Sequence, residues 1–180
     1  EGSSKFGADN KYAPFGSLGL GWNLHKERFL KGSAVSLLKL RMSMGYVGNA
    51  GFSPYQAQLA YQYSSSLQYN GGIGAVPVSM VNPRLKWERS LKRNLGLDFG
   101  LNGSVDVYYD TTNDLVMDIS KPAHIGFTSA KENLGKIRNS GIELSLRGNV
   151  LQRKHTNLNL FLNLSHNRNR IVEISDYLKN

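Results

Sequence analysis

The strongest constraint on this chain is a strict alternation of apolar and polar residues that recurs in six segments. In Ser17–Leu24 the even positions are Leu18, Leu20, Trp22 and Leu24, against Ser17, Gly19, Gly21 and Asn23. In Leu38–Tyr46 they are Leu38, Leu40, Met42, Met44 and Tyr46, against Lys39, Arg41, Ser43 and Gly45. Leu91, Leu95, Leu97, Phe99 and Leu101 oppose Lys92, Asn94, Gly96, Asp98 and Gly100, with Arg93 the one break on the apolar side. Val105, Val107 and Tyr109 oppose Ser104, Asp106, Tyr108 and Asp110. Ile142, Leu144 and Leu146 oppose Glu143, Ser145 and Arg147, and Leu158–Leu164 alternates in the same way with Asn157–Ser165. Successive strand side chains point to opposite faces, so each segment is a two-faced strand. The expected strands are residues 15–24, 37–47, 88–101, 104–112, 140–149 and 156–167, in an antiparallel up-and-down sheet. Leu20, Met42, Leu97, Val105, Leu144 and Leu162 should then share one face. Arg41, Lys92, Asp98, Asp106, Glu143 and Asn163 should share the other, and a one-residue slip would reverse the division.

Two environments suit such strands. A soluble sandwich buries the apolar face and wets the polar one. A transmembrane barrel turns the apolar face to lipid, places aromatics near strand ends, and lines its lumen with polar residues. Trp22, Tyr46 and Tyr109 fit the aromatic positions. The connections discriminate further, because they alternate short and long. His25–Leu37 has room for a helical turn around Glu27–Leu30, Asn102-Gly103 reads as a two-residue hairpin, and Asn149–His155 is short. Between them lie Val47–Glu88 and Thr111–Gly141, long, polar and Gly-rich. In a meander, alternate connections fall at opposite ends, so short turns gather at one end and long loops at the other, as in outer-membrane barrels. Loops of this length are uncommon in compact domains unless functional. Further strand is expected inside them, for example at Gln56–Tyr63 and Leu115–Ile119.

Other classes are excluded by what is missing. No apolar run approaches the ~18 residues of a membrane-spanning helix. The chain has no cysteine, which removes disulfides, thiolate metal sites and a Cys nucleophile. Glu1-Gly2-Ser3-Ser4 has neither the basic start nor the apolar core of a leader, so a leader was removed or the chain is an internal segment. The net charge of +9 invites anionic partners, but the basic residues are scattered rather than blocked, and nucleic acid is not expected. His25, His124, His155 and His166 show no metal spacing. No nucleophile elbow, phosphate loop or dinucleotide fingerprint is present. No catalytic residue, cofactor or metal is therefore expected, and the chain is not read as an enzyme.

Tyrosines carry the clearest binding signal. Tyr55, Tyr61, Tyr63 and Tyr69 crowd the first long loop, and Trp87 stands at its exit. Amphipathic rings stack on sugars and peptide backbones while their polar tips form hydrogen bonds. The same residues could instead form the loop's own small core.

Several stretches resemble the C-terminal half of the barrel of SusC/RagA-type TonB-dependent transporters. They include Gly2-Ser-Ser-Lys-Phe-Gly, Gly19-Leu-Gly-Trp, Leu38-Lys-Leu-Arg-Met-Ser-Met-Gly-Tyr-Val-Gly-Asn and Asn82-Pro-Arg-Leu-Lys-Trp-Glu. Asn94-Leu-Gly-Leu-Asp-Phe-Gly, Gly103-Ser-Val-Asp-Val-Tyr-Tyr, Asn133-Leu-Gly-Lys-Ile-Arg-Asn-Ser-Gly-Ile-Glu-Leu and Leu164-Ser-His-Asn-Arg-Asn follow in the family's order. Arg93 departs from the family, which usually has a bulky residue there. The resemblance implies an all-β segment of a large outer-membrane barrel, with short periplasmic turns and long extracellular loops. Residues 1–180 would be a partial barrel domain with no plug domain and no final strand. The parent would import oligosaccharides or peptides across the outer membrane of a Gram-negative bacterium. Its partners would be a SusD-like surface lipoprotein, outer-membrane lipid, and a TonB complex acting through the plug. The competing expectation is a soluble β-rich carbohydrate-binding module that uses the Tyr-rich loop.

Overall fold

The computed structural model describes residues 1–6, 10–32, 35–51, 60–100, 102–127, 129–153 and 155–174. Eight strands run in chain order: β1 Ser17–Trp22, β2 Leu38–Asn49, β3 Tyr61–Tyr69, β4 Gly72–Pro77, β5 Glu88–Phe99, β6 Gly103–Ser120, β7 Ser129–Arg153 and β8 Thr156–Ile174. Six of them form one antiparallel sheet in the order β1-β2-β5-β6-β7-β8, and β3 and β4 form a separate hairpin. Among the described residues the only helical pieces are single 3₁₀ turns, at Leu24–Lys26, Arg28–Leu30 and Ala123–Ile125. None is long and apolar enough to cross a membrane.

The register divides the two faces as the alternation requires. Leu20 pairs with Met42, Met42 with Leu95, Leu95 with Val107, Val107 with Ile142 and Ile142 with His166. One row on, Trp22, Leu40, Leu97, Val105, Leu144 and Leu164 stand in line. Directly paired side chains in an antiparallel sheet lie on the same face. The second row is therefore apolar from one edge to the other, and the first is apolar from β1 to β7 and ends on His166 of β8. On the opposite face, Gly21, Arg41, Gly96, Asp106, Glu143 and Ser165 form one row, and Lys39, Asp98, Ser104, Ser145 and Asn163 form the next.

Three expectations change. The hairpin at Asn102-Gly103 is a three-residue connection, because Phe99 already pairs with Gly103. Asn102 takes the left-handed conformation, φ +52°, in place of the expected pair of turn residues. The loop Thr111–Gly141 is mostly strand: β6 continues to Ser120 and β7 begins at Ser129, leaving residues 121–128 as the connection. The strand expected at Leu115–Ile119 is the upper part of β6. Its continuity with the lower part escaped alternation because the register slips between Thr112 and Val116, where Asp114 has φ +57°. The two slips cancel, since one extra residue on β6 is matched by one on β7. A third slip, between Lys136 and Ile137, puts an extra residue on β8 at the same level. Inside the loop Val47–Glu88, strand occupies Tyr61–Tyr69 and Gly72–Pro77. Of the expected Gln56–Tyr63, residues 56–59 lie outside the described residues.

At ~3.3 Å per residue, the 25 residues of β7 extend about 80 Å. A barrel strand needs roughly 9–11 residues to cross a bilayer, so β6, β7 and β8 rise well past any membrane-spanning belt.

Candidate functional site

The polar face is organised by one cation. Arg41 donates through Nε to both oxygens of Asp98, at 3.1 and 2.9 Å, and through Nη2 to Asp98 Oδ1 at 2.8 Å. The same Nη2 reaches Asp106 Oδ1 at 3.1 Å and Oδ2 at 3.2 Å. Asp98 is on the neighbouring strand and Asp106 is one strand further. Between Arg41 and Asp106 the register places Gly96, and a Cβ there would stand 2.9 Å from the guanidinium carbon. A forked guanidinium suits two carboxylates because its donors lie in one plane. Glu143, next in the row, extends the polar strip. Towards the long-connection end, the face hollows into an open space of ≈ 740 Å³ bounded by Ser43, Lys92, Tyr108, Asp110 and Glu143, with Phe15 above.

The long-connection end carries a small core. Phe6 and Leu85 are fully buried and Trp87 is 8% exposed. The Phe6 and Trp87 rings stack at 4.6 Å, and Phe15 meets Trp87 edge-on at 5.6 Å. Beside them the buried Glu88 accepts from Asn49 Nδ2 at 2.7 Å and from the Val116 backbone N–H at 2.8 Å. Asn133 on β7 fastens the incoming chain. Its Oδ1 accepts from the Lys86 N–H at 2.8 Å, and its Nδ2 donates to the carbonyls of Lys86 and Asp114 at 2.9 and 2.7 Å. Asn82 donates to the Lys131 carbonyl at 2.9 Å. Residues 82–88 are thus strapped across β6 and β7 as the chain enters β5.

The model of the "TonB dependent receptor-like, beta-barrel" family matches residues 2–179. The chain belongs to this β-barrel family. It is 32% identical, over 98% of its length, to TonB-dependent receptor P39 of Formosa agariphila, of which it covers 17%. It is 31% identical, over 97% of its length, to TonB-dependent receptor SusC of Bacteroides thetaiotaomicron, of which it covers 19%. Among solved structures, the RagAB peptide transporter superposes with TM-score 0.88 at 32% identity, covering 98% of this chain and 20% of that one. The RagAB peptide importer in its open-open state gives TM-score 0.80 at 32% identity, covering 95% of this chain and 19% of that one. The chain therefore spans about a fifth of the relatives it matches. Its six-stranded sheet is an arc of a TonB-dependent receptor barrel that does not close on itself.

Within this arc the expected aromatic contacts separate. Tyr61 and Tyr63 lie opposite Pro77 and Ala75 in the β3–β4 hairpin and are 61% and 81% exposed. They do not build the loop's core. Tyr69 stands opposite Gly72 at the hairpin tip, where only its backbone is described, and Tyr55 lies outside the described residues. Trp87 is the correction. Its ring is held by Phe6 and Phe15, so it offers no stacking surface, and its Nε1 is buried without a partner among the described residues. The core residues Phe6 and Leu85, and the fasteners Glu88 and Asn133, were not singled out from the sequence. The alternation Leu85-Lys86-Trp87-Glu88, just before β5, was the available signal.

Proposed function

We propose that this chain forms wall and outer rim of a TonB-dependent importer of oligosaccharides or peptides in the outer membrane of a Gram-negative bacterium. The carrying observation is the division of six strands, through the rows of Leu95 and Leu97, into an apolar and a charged face. In a membrane barrel the first meets lipid and the second lines the lumen. A soluble carbohydrate-binding module fits less well, because Leu18 and Leu20 are 65% and 64% exposed within a sheet-wide apolar surface. Soluble monomers rarely leave contiguous patches beyond a few hundred Å² uncovered. The RagAB neighbours, a peptide transporter and a peptide importer, support peptide as cargo.

In this proposal the short turns face the periplasm, and the β3–β4 hairpin and the extended β6–β7 ladder face outward. Tyr61 and Tyr63, with Tyr55 and Tyr69 of the same loop, are the substrate contacts, and Trp87 holds the loop's base. A SusD-like surface lipoprotein covers this rim, and a TonB complex acts through a plug region. No catalytic residue, cofactor or metal takes part.

The test deletes residues 56–74 from the full-length parent and measures uptake and association with the lipoprotein. Lost uptake with an assembled barrel places the loop at the entrance. Unchanged uptake and unchanged association remove it from the mechanism.

A further inference from the structure

Four arginines, Arg93, Arg138, Arg168 and Arg170, stand on the apolar face beside a fifth, Arg89, which pairs with Asp114 at 3.3 Å. The middle of a lipid-facing surface should carry none. Arg93 pairs with Met44 and alternates with Leu91 and Leu95. Tyr109 pairs with Ser140 and Ser140 with Arg168; one row further, Thr111 pairs with Arg138 and Arg138 with Arg170. Tyr109 lies between two of the cations: the Arg93 guanidinium carbon is 5.6 Å from its ring centroid and that of Arg138 is 5.2 Å away. None of the residues named in these two rows is acidic. Among the described residues none of the four arginines forms an ion pair, and the Nε of Arg138 is buried without a hydrogen-bond partner.

Their height is defined by the strand below them. From Leu158 to Arg168 on β8 is ten residues. That is about 33 Å along a strand and, at a tilt near 40°, about 25 Å along the membrane normal, the height of a barrel's apolar band. An arginine costs roughly 2–4 kcal/mol at the bilayer midplane but about 0–1 near the interface, so these positions are tolerable only at the band's edge. That edge is on the long-connection side, the outward one. Guanidinium groups pair with phosphate through two parallel hydrogen bonds, and the Tyr109 ring holds two of them beside one another.

We propose that Arg93, Arg138, Arg168 and Arg170, arranged around Tyr109, form a site on the barrel's outer wall for phosphate-bearing headgroups of the surrounding outer leaflet. The proposal rests on the membrane placement given above and adds a lipid-recognition site to it.

The test uses the full-length barrel in phosphatidylcholine nanodiscs. These are doped with a bisphosphorylated glucosamine lipid or with the same lipid stripped of phosphate, and lipid retained per barrel is read by native mass spectrometry. The wild type should retain the phosphorylated lipid preferentially. Arg168→Gln with Arg170→Gln should weaken retention about fivefold for each arginine removed, and Arg168→Lys with Arg170→Lys should restore most of it. Equal retention by wild type and the Gln variant, or equal retention of both lipids, overturns the site. Competition by inorganic phosphate alone at comparable concentration also overturns it, because the site would then take free anions. Quenching of Leu97→Trp fluorescence by brominated lipid reports the placement separately. Absent quenching overturns the placement and the site together, whereas quenching without phosphate dependence overturns the site alone.

Discussion

Arg41 on β2 reaches Asp106 on β6 across the full width of β5, at 3.1 Å, and it passes over Gly96. The glycine is placed where a larger residue would push the guanidinium aside. One side chain thereby links three strands of the charged wall. The ion pairs are part-exposed, Arg41 at 38% and Asp106 at 20%, so their value lies in positioning more than in raw energy.

Replacing Gly96 with Val should separate the two carboxylates functionally. The Arg41–Asp98 pair should survive while the Asp106 contact is lost, costing about 1 kcal/mol in the full-length barrel. In an Arg41→Gln background the same substitution should cost nothing further. Urea midpoints of the four proteins give the coupling, and a coupling of zero would show that Arg41 and Asp106 act independently.

Leu97→Arg should lower barrel stability by roughly 2–4 kcal/mol, because its row lies within the apolar band. Asn94→Arg, on the opposite face, should cost under about 1 kcal/mol. Equal effects of the two variants in folding assays with lipid vesicles would contradict the assignment of the faces.

Trp87→Ala should cost about 3–5 kcal/mol, since it empties the space between Phe6 and Phe15. Tyr61→Ala with Tyr63→Ala should leave stability within about 1 kcal/mol and reduce substrate affinity. Thermal unfolding and binding of oligopeptides, measured on the same proteins, distinguish the structural aromatic from the contact aromatics. Unchanged affinity in the double variant would remove Tyr61 and Tyr63 from recognition.

Asn133→Ala should release the strap formed by residues 82–88, because three hydrogen bonds end on this one amide. A protease acting after basic residues should cut at Arg84 or Lys86 at least tenfold faster than in the parent, a factor that corresponds to about 1.4 kcal/mol of opening. Identical cleavage rates would mean that Leu85 and Trp87 hold the strap unaided.

The sheet was legible because its signal is local. Six segments alternate cleanly, and every tested face assignment, from Leu18 to Asn163, follows from that parity. The continuity of the upper parts of β6 to β8 with the lower was hidden for a local reason too. Leu115–Ile119 was legible as strand, but bulges at Asp114 and around Asn133–Ile137 shift the parity, so its joining to the lower part of β6 in one strand was not. The small core was out of reach for a different reason. Phe6 and Trp87 are 81 positions apart, and nothing in either segment specifies the other. Arg93 was visible as a break in the pattern, but its companions Arg138, Arg168 and Arg170 join it only through the register of three later strands.

The three bulges described above sit at one level, just beyond the Arg138–Arg170 row. A continuous hydrogen-bonded ladder resists bending, whereas an unpaired extra residue locally disrupts it and increases the twist. Compliance in this part of the arc is therefore concentrated in a single transverse crease through β6, β7 and β8. Below it the β7–β8 ladder keeps its register until a further slip between Asn149 and Leu151, near the short-turn end, and above it the strands can lean as a panel. Force applied to the rim is absorbed at that crease before it can disturb the charged wall held by Arg41.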